Sequence, residues 1–75
     1  MVKEEFLKNF GQHIKSLRKE KGITAAELGR RTEIERFHIS RLESGKINPT
    51  LVTIKSLASG FDMELDEFFK GFKKD

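Results

Sequence analysis

The stretch "ERFHISRLESG", residues 35–45, holds a dense set of side chains able to engage a ligand: Arg36, Phe37, His38, Ser40 and Arg41. On a helical wheel of about 100° per residue, Ile39 and Leu42 fall about 60° apart and define an inward face. Phe37, Ser40, Arg41 and Ser44 occupy the far half, with Arg36 and His38 flanking it. A helix with an apolar inner face and a cationic outer face can present donors to an anionic, hydrogen-bonding surface. An arginine fork matches guanine O6 and N7, serine donates or accepts, and a phenylalanine can press on a thymine methyl. The alternative for Phe37 is packing against the preceding helix or a partner subunit.

Candidates for catalysis are lacking. The chain has no cysteine, its two histidines, His13 and His38, are far apart in sequence, and no glycine-rich phosphate loop or metal-ligand spacing occurs. Both histidines read as surface or boundary residues. The expectation is a binding protein, not an enzyme, with no cofactor, no metal and no small-molecule ligand.

The elements around this stretch are helical throughout, because proline occurs only at Pro49 and β-branched runs are absent. "EEFLKNFGQHIKSLRKEKG" spaces Phe6, Phe10, Ile14 and Leu17 at intervals of three or four, with Leu7 beside them, and Gly22 supplies a left-handed stop. "TAAE" predicts a reciprocal capping box between Thr24 and Glu27, opening helix 2 over about 25–31 with Leu28 inward. The link "TEI" leads to helix 3, which ends near Gly45. Pro49 then breaks the chain and Thr50 caps helix 4, where Leu51, Ile54, Leu57, Ala58 and Phe61 share a face. Asp62 stands where a turn residue is needed. "ELDEFFKGF", residues 64–72, reads as helix 5, with Asp66 and Glu67 in the first turn, where the helix dipole favours negative charge. A short capped helix, a three-residue turn and a second helix with a polar outer face is the design of a helix-turn-helix, whose second helix lies in the DNA major groove.

Seventy-five residues, 36% hydrophobic and 36% charged, give one small globular domain over 1–75, with the helix-turn-helix at about 25–44. No apolar run approaches the roughly 18 residues of a membrane span, and the N-terminus has no secretory pattern, so a cytoplasmic location is expected. Net charge is only +3, but residues 15–46 hold nine Lys or Arg against five acids, while 62–69 hold four acids and no base. That asymmetry points to a polyanionic partner.

Taken together, "IKSLRKEKGIT", the "AEL" of helix 2, "ISRLESGKINP" and "LASGFDMELDEFF" resemble the Xre, or lambda-repressor-like, helix-turn-helix domains. The resemblance covers roughly residues 10–69, and "EIERFHIS" looks close to the controller proteins of restriction–modification systems. It implies an all-α, five-helix domain that regulates transcription by binding double-stranded operator DNA, usually as a two-fold dimer. The base readers it implies are Arg36, Phe37, Ser40 and Arg41, with His38 at the edge. Phosphate contacts are expected at Thr24, Ala25, Ser44, Lys46, Asn48 and Thr50, where helix N-termini and the loop after helix 3 offer N–H groups. It also pairs Arg18 with Glu43, a structural ion pair covering a carboxylate on the core side of helix 3. The chain departs from the pattern at Ala25, where glutamine is usual, at Glu33, where glycine is common, and at Glu35, where a serine or threonine cap is usual. A carboxylate at 33 or 35 needs Arg30, Arg31 or Arg36 to neutralise it beside DNA.

Seven phenylalanines are more than a core this small requires. Val52, Leu65, Phe69 and Phe72 are the expected dimer contacts, with helix 5 the dimerisation element; the alternative is a monomer whose aromatics are all core. A two-fold pair would set its recognition helices about 34 Å apart, one turn of B-DNA. The competing reading is an antitoxin-type protein-interaction module with autoregulatory DNA binding, against which stands the short tail "GFKKD". RNA binding has no aromatic stacking platform to support it.

Overall fold

The spacing of Phe6, Phe10, Ile14 and Leu17 organises α1 (Lys3–Glu20), which buries Phe10, Ile14 and Leu17 and leaves Phe6 and Leu7 half-buried at its N-terminal end. The computed structural model describes residues 3–72. Met1, Val2 and three residues of the predicted tail, Lys73, Lys74 and Asp75, lie outside the described residues. Four further helices follow: α2 (Ala25–Thr32), α3 (Arg36–Glu43), α4 (Leu51–Gly60) and α5 (Leu65–Phe68). Helix α3 packs on α1 and α2, α2 packs on α4, and α4 on α5, within 32 × 24 × 22 Å.

Every helix contributes to one core. Leu28 of α2, Ile39 and Leu42 of α3, Leu57 and Ala58 of α4, Phe61 just after it and Phe68 of α5 close over the α1 stripe. Burying a side chain of this size contributes about 1.5–3 kcal/mol, so the inner face of α3 anchors the helix that carries the candidate site. Gly11 sets how near α1 can come to α3: a Cβ there would run into the carbonyl oxygens of Leu42 and Glu43.

The helix ends follow local chemistry. Thr24 and Thr50 cap α2 and α4, their hydroxyls accepting from the N–H of Glu27 and of Thr53. The capping box at Thr24 is only half formed, because the Glu27 carboxylate turns instead to Arg30, at 2.6 Å, and Arg31, at 3.1 Å. Gly22 and Gly45 adopt φ of 68° and 74°, a conformation that a Cβ would strain. After α3, Gly45 N–H bonds Leu42 O and Lys46 N–H bonds Arg41 O, so the chain folds back and sets Lys46 beside the last turn of the helix.

Two expectations are corrected here. Leu51 is 75% exposed rather than inward, because it is the first helical residue and lies at the edge of the α4 apolar arc, where no element covers it. Helix 5 is a single turn instead of spanning 64–72. Phe72 N–H bonds Phe69 O three residues back, and its ring sits edge-on to Phe6 and Phe10 at 5.6 and 6.3 Å. Packing Phe72 against α1 draws the chain off the helical path.

Candidate nucleic-acid interface

Helix α3 is eight residues long, and its outward half is open. Arg36, Phe37, His38, Ser40 and Arg41 are all exposed, while Ile39 and Leu42 beneath them are buried. Phe37 is 66% exposed and does not pack into α2; its ring lies under the Arg41 guanidinium carbon, 5.8 Å from the centroid. Among the described residues, neither Arg36 nor Arg41 has a carboxylate within ion-pair distance. An outward helix face thus carries two uncommitted guanidinium groups.

Arg18 and Glu43 hold this face from behind. Arg18 Nε and Nη2 donate to the two Glu43 oxygens at 2.7 and 3.1 Å, and Nη1 donates to Ile23 O at 3.2 Å. The side chains are 15% and 10% exposed, so the fork ties α1, the α1–α2 loop and α3 together out of most solvent. The hydrogen bonds that Arg18 donates to Glu43, with the charge of that carboxylate, raise its already high basicity despite burial.

The turn between α2 and α3 is where the chain's unusual residues fall. Glu33 takes φ 62°, ψ 20°, the left-handed conformation for which glycine is the cheapest residue. Glu35 stands at the N-cap of α3 with no side-chain cap hydrogen bond. Sequence reasoning missed the residue that braces the turn: Thr32 Oγ1 donates to Leu28 O at 2.8 Å and accepts from Ile34 N–H at 3.1 Å. A threonine in the last turn of a helix was the available signal, since its hydroxyl can reach the carbonyl four residues back. Among the described residues, no arginine lies within ion-pair distance of Glu33 or Glu35, against the expected neutralisation. Arg30 and Arg31 are committed to Glu27, whose carboxyl they hold below the usual carboxylate range, and Arg31 also donates to Gly60 O.

The predicted phosphate contacts are spread over three places. Thr24 and Ala25 open α2, with Ala25 half-buried and able to offer only its backbone. Ser44, Lys46 and Asn48 are exposed after α3, although the Ser44 hydroxyl is used to cap Ser40 O at 2.8 Å. Thr50 opens α4, its hydroxyl shared with Thr53. Of the predicted dimer contacts, Val52 is 74% exposed and Phe69 is 36% exposed. Leu65 and Phe72 are half-buried and pack partly against the chain's own core. His13 belongs to that packing: its Nε2 pairs with Phe68 O, and its ring lies against Phe68 and Phe72. Among the described residues, no three His, Cys, Asp or Glu side chains come together to hold a metal ion, and no helix is long and apolar enough to cross a membrane.

The comparisons with known proteins converge on this architecture. The helix-turn-helix family HTH_3 matches residues 14–68. Control protein C.MunI of a Mycoplasma species is 31% identical, over 88% of this chain and 90% of that protein. The restriction-modification controller protein C.AhdI of Aeromonas hydrophila is 35% identical and superposes with a TM-score of 0.80, covering 84% of this chain and 96% of that one. The controller protein C.Esp1396I, solved as a tetramer in complex with its natural 35 base-pair operator, gives a TM-score of 0.84 at 27% identity, covering 89% of this chain and 88% of that one. With the family match running from within α1 to the end of α5 and enclosing α3 with its exposed cationic face, the chain belongs to the HTH_3 helix-turn-helix family.

Proposed function

We propose that this chain is a sequence-specific, double-stranded DNA-binding transcriptional regulator of the controller-protein type, with α3 in the major groove of a pseudo-palindromic operator. The observation that carries the reading is the outer face of α3, where Arg36, Phe37, His38, Ser40 and Arg41 are exposed while the opposite face is locked into the core. Arg36 and Arg41 supply guanine-matching forks and Ser40 a hydroxyl for either role. The N-termini of α2 and α4 and the exposed Lys46 supply contacts to phosphate that set register without reading sequence.

Binding as a two-fold dimer is part of the same reading. Leu51, Val52 and Phe69 are large apolar side chains left exposed on a small domain, and Phe69 lines a groove together with Leu7, Asn48, Pro49 and Ile54. Covering them against a second copy would remove apolar surface from water and hold two α3 helices about one DNA turn apart. Val52 and Phe69 are the central contacts, with Leu51 added, and Leu65 and Phe72 shape the surface from beneath.

The test is selection from a pool of random duplexes with the purified protein, followed by a salt titration on the winning sequence. The expected result is a two-fold symmetric motif, with log K falling linearly against log salt as counterions are released. Weak, sequence-blind retention would refute the regulator reading and turn attention to a protein partner.

A further inference from the structure

Phe37 and Arg41 are four residues apart on α3, on the side facing away from the core, and the arginine guanidinium lies over the phenylalanine ring at 5.8 Å. We propose that the two act as one reading unit, selecting a pyrimidine that carries a 5-methyl group beside a guanine. This rests on the DNA-binding reading above and names the base step that one part of α3 recognises.

The geometry supplies each half. A guanidinium is planar and always charged, and its fork matches guanine O6 and N7 only when its plane is presented correctly. A flexible arginine with no carboxylate partner adopts many rotamers, and stacking on Phe37 restricts them. Such a stack is an attraction in its own right, because the ring quadrupole favours a cation above its face. The stack leaves most of the ring uncovered, since Phe37 remains 66% exposed. A 5-methyl group is the apolar feature of a pyrimidine edge in the major groove, and an exposed aromatic ring is an apolar surface to receive it. Four residues of helix advance about 6 Å, less than two base-pair steps of about 3.4 Å, so the pair reaches neighbouring bases. Thymine and 5-methylcytosine both present this methyl group; deoxyuridine and cytosine do not.

The test uses the full chain and the duplex recovered by selection, with the pyrimidine beside each guanine varied singly among thymine, deoxyuridine, cytosine and 5-methylcytosine. At the position read by Phe37, losing the methyl should weaken binding about fourfold, the equivalent of one buried carbon. Phe37→Ala should bind thymine and deoxyuridine alike, and cytosine and 5-methylcytosine alike, and Arg41→Ala should lose about 5- to 150-fold together with its preference for the neighbouring guanine. In a double-mutant cycle the two losses should be coupled by about two- to fivefold, the strength of an exposed cation–ring contact. Phe37→Leu keeps an apolar contact but removes the ring face, so it should retain part of the methyl preference and lose the coupling. Discrimination of thymine from deoxyuridine without any gain from 5-methylcytosine assigns the methyl to thymine and still supports the unit. Sequence-specific binding that is blind to the methyl at every position, or losses that multiply without coupling, overturns this inference and leaves the regulator reading intact. Absence of any selected motif overturns both.

Discussion

Two turns of this protein are built from nearly the same residue pattern and come out differently. "TEIER" joins α2 to α3, and "FDMEL" joins α4 to α5. Each places an acidic residue in the left-handed region, Glu33 at φ 62° and Asp62 at φ 60°, then an apolar residue, then a glutamate at the N-cap of the next helix. At Asp62 the backbone closes on itself, with Asp62 N–H bonding Ser59 O and Met63 N–H bonding Ala58 O, both at 2.9 Å. The Glu67 carboxylate then accepts from Glu64 N–H at 3.3 Å, and Asp66 and Glu67 complement the dipole of α5. At Glu33 the Ile34 N–H is held by the Thr32 hydroxyl, and the third position of α3 is His38 rather than a glutamate. The first turn of α3 therefore carries no acid, and Glu35 is left without a side-chain cap bond. One turn is arranged to close the fold. The other forgoes capping: the start of α3 is left open, with the exposed carboxylates of Glu33 and Glu35 beside it and no acid in its first turn.

The sharpest way to test that division uses the two sides of α3. Glu43→Ala leaves Arg18 unpaired and mostly buried, and should destabilise the domain by about 3–5 kcal/mol in a denaturant melt. Arg41→Ala, on the outward side, should change stability by no more than about 0.5 kcal/mol while reducing DNA affinity. Equal destabilisation by the two would erase the distinction between a supporting and a facing side.

Next in size is the backbone at the two left-handed positions. Glu33→Gly relieves the steric cost of a long side chain there and should stabilise by about 0.5–1 kcal/mol, after the greater entropy of glycine in the unfolded chain. Asp62→Gly should gain less, about 0.3 kcal/mol or below, because aspartate tolerates this conformation better. Glu33→Gly should also tighten DNA binding by removing a carboxylate from the turn. A larger thermal shift from Asp62→Gly would reverse the ranking of the two turns.

A comparably small effect comes from giving α3 the capping residue that α5 has. His38→Glu restores a carboxylate at the third position and should add about 0.5 kcal/mol to stability through the cap and the helix dipole. The same variant should weaken DNA binding, since it adds a negative charge to the outward face of α3. A variant that gained stability and bound DNA as well as before would show that the missing acid in the first turn of α3 has no bearing on binding.

Much of this architecture was legible because its signals are local. Thr24 and Thr50 start helices wherever a side-chain oxygen sits before an apolar periodic run, and Gly22 and Asp62 end them for reasons of backbone sterics. The division of α3 into Ile39 and Leu42 inside and Arg36, Phe37 and Arg41 outside follows from helical period alone. Misread positions were those with a choice of partner. Glu27 was assigned to its own helix cap, yet two arginines one turn on outcompete a backbone N–H for a carboxylate. Leu51 has the right residue type and nearly the right phase, but no neighbour reaches the first turn of α4.

Local signals along the chain set the helices, the order in which they come, and the outward placement of the cationic residues of α3. Periodicity, caps and turn residues act within a few positions of the chain, so they need no knowledge of the rest. Packing turns Phe72 back onto Phe6 and Phe10, ending α5 after one turn, and it rests Arg41 on Phe37 with no acid among the described residues within ion-pair distance. Those outcomes depend on which surfaces meet and which charges arrive first, and rotamers and competing partners exist only once the helices are packed.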